Sequence, residues 1–193
     1  YRTFPSAVIH DIDGTPMHSW RVRIMPLMEQ GSFYDVYQSN NDPWNGPKNS
    51  LLGDEIPDTW LDKSGTPHQY VAYPVVFRCP SAPRSQNRMH TSYVMLIDDR
   101  PGQPNGPPNL PGSVPPDSDF DSSIIVVEMA DSGIHWMEPR DVLLSELSMK
   151  INDHRRKSLS SFHGGAFVAH ADGSVEFLDE ATTAERLREL LTQ

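Results

Sequence analysis

Ser161-Phe162-His163-Gly164-Gly165-Ala166-Phe167-Val168-Ala169-His170-Ala171-Asp172-Gly173-Ser174-Val175-Glu176-Phe177-Leu178 is the stretch whose reading decides the fold. Apolar side chains recur with a period of two on either side of Asp172-Gly173, which is the pattern of a β-hairpin. Asp-Gly between two such runs signals a tight primed turn, because Gly adopts positive φ without steric cost. Phe167, Ala169 and Ala171 share one face of the first strand, and Val168 and His170 share the other. On the return strand Val175 and Phe177 alternate with Ser174 and Glu176, and the two apolar residues are expected to face the core. Gly164-Gly165 lets the chain enter the hairpin closely.

A lone hairpin is marginal in water, so more strands must lie upstream. Ile124-Ile125-Val126-Val127-Glu128-Met129 is apolar almost without interruption and suits the centre of a sheet covered on both faces. Thr91 to Ile97 reads as a strand from its β-branched and aromatic content. Val71 to Arg78 contains Pro74 and is at most an edge strand. These strands are expected to pair antiparallel. Leu143 to Ile151 reads as a short helix. After the hairpin, Thr182 or Thr183 caps a last helix with Ala184, Leu187, Leu190 and Leu191 on one side.

Nearer the start, residues 1–18 read as extended or looped, broken by Asp11, Asp13-Gly14 and Pro16. Ser19 is a plausible N-cap for a helix over 20–30, with Trp20, Ile24, Leu27 and Met28 at helical spacing and a kink at Pro26. Pro47 to Leu52 allows another short helix. Cys79-Pro80-Ser81-Ala82-Pro83 is a rigid turn. The layout is α+β: one domain over 1–193, helical and irregular over 1–90, with the sheet, hairpin and final helix over 91–193. Long Pro-rich loops join the elements, above all residues 98–123, consistent with the 18 prolines in 193 residues.

The formal net charge is -10, which argues against nucleic acid, whose phosphates need clustered Lys and Arg. The local basic run Asp153-His154-Arg155-Arg156-Lys157 reads as a solvated surface. A single cysteine, Cys79, excludes an intrachain disulfide, and the expectation is that there is no Cys-based zinc site. No apolar run is long enough to span a bilayer.

Four groups of residues bear on chemistry. Asp117-x-Asp119-x-Asp121 places carboxylates at alternate loop positions, as a Ca²⁺ loop does, with Asp98 and Asp99 at the other end of the loop as further oxygen donors. The EF-hand pattern is not completed, since Ser122 stands where its glycine belongs. His163, His170 and Asp172 are Zn²⁺ or Ni²⁺ donors by type, yet no spacing fixes a third or fourth ligand. Asp172 capping its own turn, with the histidines bonded locally, is the simpler reading. No Gly-x-Ser-x-Gly elbow is present, and Cys79 reads as an inert buried thiol. Glu128 and Glu138 read as members of structural ion pairs, with Arg140 or Arg21 as partner for Glu128.

Seven segments occur in an order that resembles a family. They are Tyr1-x-Thr3-Phe4-Pro5; Ser19-Trp20-Arg21-Val22 with Pro26-x-Met28-Glu29-Gln30; Asp42-Pro43-Trp44; Arg78-Cys79-Pro80-Ser81; Thr91-Ser92-Tyr93; Val126-Val127-Glu128 with Trp136-x-Glu138-Pro139; and His163-Gly164-Gly165 through Asp172-Gly173-Ser174-Val175. This order resembles bacterial prepilin-like proteins that carry a domain of unknown function and a C-terminal His-to-Asp-Gly motif. His163, Gly164, Gly165, Asp172 and Gly173 match that motif, with one residue fewer between His163 and Asp172 than is usual. The resemblance implies a pilin-like globular head, as in type IV pilins and type II secretion pseudopilins. It further implies an apolar helix ahead of Tyr1, anchorage to the inner membrane, a periplasmic or cell-surface location, and other pilin-like subunits or secretion machinery as partners. The opening Tyr1-Arg2, without an initiator Met, reads as a processed or truncated start. Related pseudopilins hold Ca²⁺ in a C-terminal loop, which adds to the case for Asp117, Asp119 and Asp121.

The expectation is thus a non-enzymatic structural or interaction subunit that requires no cofactor. Two other functions fit the residues. One is a surface module that binds carbohydrate or another polymer on exposed Trp44, Trp60 or Trp136. The other is a metal-dependent hydrolase built on His163, His170 and acidic residues.

Overall fold

A computed structural model describes residues 4–28, 34–35, 37, 42–53, 59–61, 67–69, 75–101 and 123–192. Two short antiparallel hairpins precede the main sheet. The first joins β1 (Val8–His10) and β2 (Pro16–Ser19). The second joins β3 (Thr59–Leu61) and β4 (Pro67–Gln69). The first pairs the extended parts of residues 1–18 into a hairpin that the sequence does not specify. Asp11 closes it by accepting the Asp13 and Thr15 amides on Oδ1, while Gly14 takes φ +81°. Pro16 sits at the first residue of its strand, one of the few strand positions a proline tolerates.

Ser19 ends β2 and caps α1 (Trp20–Ile24), its side chain accepting from the Arg21 amide. A 3₁₀ turn over Met25–Met28 carries Pro26, so proline changes the helix type rather than kinking one long helix. A one-turn helix, α2 (Ser50–Gly53), follows within the turn-rich region. Val75–Phe77 is a 3₁₀ turn, not an edge strand.

The main sheet has five strands in the order β7-β5-β6-β8-β9: β5 (Tyr93–Ile97), β6 (Ile124–Glu128), β7 (Val142–Leu143), β8 (Gly165–His170) and β9 (Val175–Asp179). β6 lies at its centre, as its unbroken apolar run predicts. The sheet is antiparallel except at one edge, where β7 runs parallel to β5. That strand and a 3₁₀ turn over Leu144–Glu146 replace the short helix expected from Leu143 onward. The final helix α3 (Ala184–Leu191) is capped by Thr183 Oγ1, which accepts from the Arg186 amide.

Burial explains the arrangement. Leu187, Leu190 and Leu191 of α3 pack on Val94, Leu96, Val127, Ala166, Val168 and Leu178. The opposite face of β5 offers Met95 to Ala7 and Trp20. Val22, Met25, Phe77 and Trp136 build a further cluster beside them. A bulge between Ile124 and Val126 lets β6 serve both faces. The result is an α+β fold. Among the described residues no helix is long and apolar enough to cross a membrane.

Candidate functional site

The hairpin exists, but its turn and its faces differ from the expectation. Gly173 donates to the His170 carbonyl and His170 donates to Ser174 O, so the loop is Ala171-Asp172-Gly173 with only Gly173 at positive φ (+86°). This is a type I turn closed by a glycine bulge, one residue longer than a primed turn. Asp172 Oδ1 accepts the Ser174 amide at 2.8 Å, and the Ser174 side chain, followed by this amide, holds its carboxyl below the usual range. His170 lies 3.4 Å from Glu176. Asp172 and His170 therefore serve the turn, while His163 sits at the opposite end of β8, so the three converge on no common point.

Ala166, Val168 and Leu178 fill the core, whereas Phe167, Val175 and Phe177 point outward. Period-two alternation identifies which residues share a face but not which face is inside. Here the larger apolar set is the outer one. Phe167 and Phe177 stand opposite each other with ring centroids 5.0 Å apart, 41% and 42% exposed, and Val175 is 66% exposed. Gly165 is required by this packing: a Cβ there would strike the Leu178 carbonyl and the Phe177 ring.

His163 reaches a different pair of residues. Its Nε2 is 3.4 Å from Cys79 Sγ, across 84 positions of sequence. Glu128 joins them, and the ligand atoms of Cys79, Glu128 and His163 all lie within 4.8 Å of one another. Each residue is placed by a separate element. Cys79 opens a turn closed by the Ala82 amide on the Cys79 carbonyl, and its own amide donates to Ser92 Oγ just ahead of β5. Glu128 is the last residue of β6, paired with Tyr93. His163 precedes β8, with its amide on Ser161 Oγ and the positive φ of Gly164 turning the chain into the strand. β5, β6 and β8 are neighbours, and that adjacency brings the three together.

The cluster is half enclosed. Cys79 and Glu128 are buried and His163 is exposed. Glu128 Oε2 accepts the Phe167 amide at 3.1 Å, whereas Oε1 is buried without a hydrogen bond of regular geometry. Burial, and the Glu128 carboxylate beside it, push the Cys79 thiol up. That shift disfavours a free thiolate nucleophile at neutral pH, since activated cysteines have lowered pKa values. Sulfur, imidazole and carboxylate within 4.8 Å of one another are instead donor types that could hold a borderline divalent cation.

The ion pairs also differ from the expected ones. Arg21 pairs with Asp141 at 2.5 Å, both wholly buried, and Arg140 pairs with Glu138 at 2.6 Å. Glu128 takes neither arginine. Trp136 is fully buried and stacks on Phe77, and half-buried Trp44 lies against His135, so these two indoles form no exposed platform. The side chain of Trp60 lies outside the described residues. So do Asp117, Asp119 and Asp121; of that loop, Asp98 is bound to Arg100 and Asp99 to Ser145. The basic run lines an open cleft of about 320 Å³.

A family model described as protein of unknown function (DUF1559) matches residues 1–143. The chain belongs to this family. No curated protein and no solved structure matches it. The matched span of this DUF1559 chain contains Cys79 and Glu128 and ends before His163, so the three-residue cluster joins the family segment to the C-terminal hairpin.

Proposed function

We propose that this DUF1559 chain is the globular head of a prepilin-like protein and acts as a non-enzymatic interaction subunit of a type IV pilus or type II secretion-like assembly. The observation that carries this reading is the outer face of the C-terminal hairpin. Phe167, Val175 and Phe177 present an apolar strip on β8 and β9, and β9 is the terminal strand of its sheet. An exposed apolar patch beside a strand edge that pairs with no further strand among the described residues is a docking surface in the making. The partner it suits is another pilin-like subunit, which would cover the strip with an apolar segment. The prepilin-like resemblance supports that partner, and with it a periplasmic or cell-surface location and anchorage through a preceding apolar helix.

The test uses the full-length protein in its own cells, with a photo-crosslinking residue at position 175. Capture of a pilin-like subunit, lost when Phe177→Glu is added, is the expected result. Crosslinks only to proteins unrelated to pilins, or capture unaffected by Phe177→Glu, would overturn it.

A further inference from the structure

The cluster of Cys79, Glu128 and His163 borders the docking strip at Phe167 but uses different side chains, and it points to a bound ion. We infer that these three side chains form a binding site for one borderline divalent transition-metal ion, Zn²⁺ above all, with the fourth coordination position open to solvent on the His163 side.

The donor set sets the class of ion. Thiolate and imidazole select Zn²⁺ and its neighbours over Ca²⁺ or Mg²⁺, which take oxygen ligands. A thiolate, a carboxylate and a neutral imidazole together balance a charge of +2. Geometry agrees. Tetrahedral Zn²⁺ with its usual bond lengths holds neighbouring N, O and S ligands roughly 3.4–3.6 Å apart. Cys79 Sγ and His163 Nε2 are already 3.4 Å apart, and the carboxylate of Glu128 lies within 4.8 Å of both. Rotation of the carboxylate and the imidazole closes the rest.

A second observation points to the same ion. Glu128 is 1% exposed, its Oε2 is held by the Phe167 amide, and its Oε1 is buried with no hydrogen bond of regular geometry, only the Cys79 thiol bearing on the carboxylate. A buried carboxylate oxygen served at best by a weak thiol donor is poorly compensated for its lost hydration. A cation between Glu128, Cys79 and His163 makes up that deficit. The Phe167 amide then fixes the carboxylate from behind, as supporting hydrogen bonds commonly do for metal ligands. Binding transfers the Cys79 thiol proton to solvent as the metal–sulfur bond forms.

The experiment titrates the reduced, chelator-treated, tag-free chain with Co²⁺ and then with Zn²⁺. The expected result is one Co²⁺ per chain, with the intense visible absorption of a tetrahedral site and a thiolate-to-cobalt charge-transfer band. Zn²⁺ bleaches both and raises the melting temperature. Cys79→Ser abolishes the charge-transfer band. Removing residues that merely support ligands costs about 10–100-fold in affinity, so His163→Gln, which replaces a ligand, should weaken binding by at least about tenfold. His163 is exposed, so this variant keeps the apo melting temperature and separates a lost ligand from a lost fold. Absence of a charge-transfer band in the wild type overturns the assignment. So does equal Zn²⁺ affinity in the wild type and His163→Gln.

Discussion

Gly173 shows how one residue can set a hairpin. It takes φ +86°, and a Cβ added there would meet nothing within 4 Å. The cost of a side chain is therefore backbone strain alone. Gly173→Val should destabilise the fold by about 1–3 kcal/mol, and Gly173→Asn by less, because asparagine enters the left-handed region more readily. Thermal melts of the two variants check the order, and equal melting temperatures for wild type and Gly173→Val would refute it. Asp98 makes a prediction of opposite character. Its hydrogen bonds from the Arg100 side chain, then from the Arg100 amide, lower its carboxyl pKa even though burial opposes them. A carboxylate with a folded pKa below its unfolded value of about 3.9 contributes stability above that value, and the contribution is lost as pH falls through the folded pKa. The melting temperature should thus drop as pH falls below about 4, and Asp98→Asn should flatten part of that drop. An Asp98→Asn profile parallel to wild type from neutral pH downward would rule the linkage out. At this scale the cluster of Cys79, Glu128 and His163 is not legible in the sequence. Cys79, Glu128 and His163 obey no short spacing, and only the adjacency of β5, β6 and β8 brings them together. Nothing beside Cys79 in sequence announces a neighbour 84 residues away, so its local context points only to an inert thiol.

Elements were legible where local signals agree with tertiary demands. The unbroken apolar run of β6 marks the centre of the sheet, Ser19 is readable as a cap, and the last cap is readable to within Thr182 or Thr183, of which Thr183 accepts the first-turn amide. Thr183→Ala should cost about 0.5–2 kcal/mol, as N-cap losses do, and Thr183→Ser should restore most of it. Urea unfolding would detect the loss; a full-strength Thr183→Ala protein would mean that the packing of Leu187, Leu190 and Leu191 alone holds α3. The illegible elements were short ones. β7 has two residues, and it exists because Asp141, just before it, is anchored in the core. Val175 and Phe177 of β9 face out rather than into the core because Ala166 and Val168 of β8, with Leu178, fill the inner side beneath α3. Phe167 and Phe177 are left outside, where Phe177 also covers Gly165.

The N-terminal segment and the sheet are joined by one buried carboxylate. Asp141 Oδ1 accepts from Arg21 at 2.5 Å, from Trp20 Nε1 at 3.2 Å and from the Met95 amide at 2.8 Å, tying α1, β5 and the start of β7 together. Arg21 also donates to the Tyr93 carbonyl and to Ser19 Oγ. Burial works against both charges, lowering the Arg21 pKa and raising that of Asp141, and their attraction and hydrogen bonds oppose it. Removing one member leaves the other buried and uncompensated, so Asp141→Ala should cost about 3–5 kcal/mol. That is a large share of the roughly 5–15 kcal/mol that stabilises a typical domain. Replacing both members with apolar groups removes the stranded charge as well. The double variant Arg21→Met, Asp141→Leu should therefore lose less stability than the sum of the two single variants, a coupling that chemical denaturation can read as a double-mutant cycle. Strictly additive losses would mean that the two side chains act separately, and that the N-terminal segment is held to the sheet by the contacts of Ala7, Trp20 and Met95 instead.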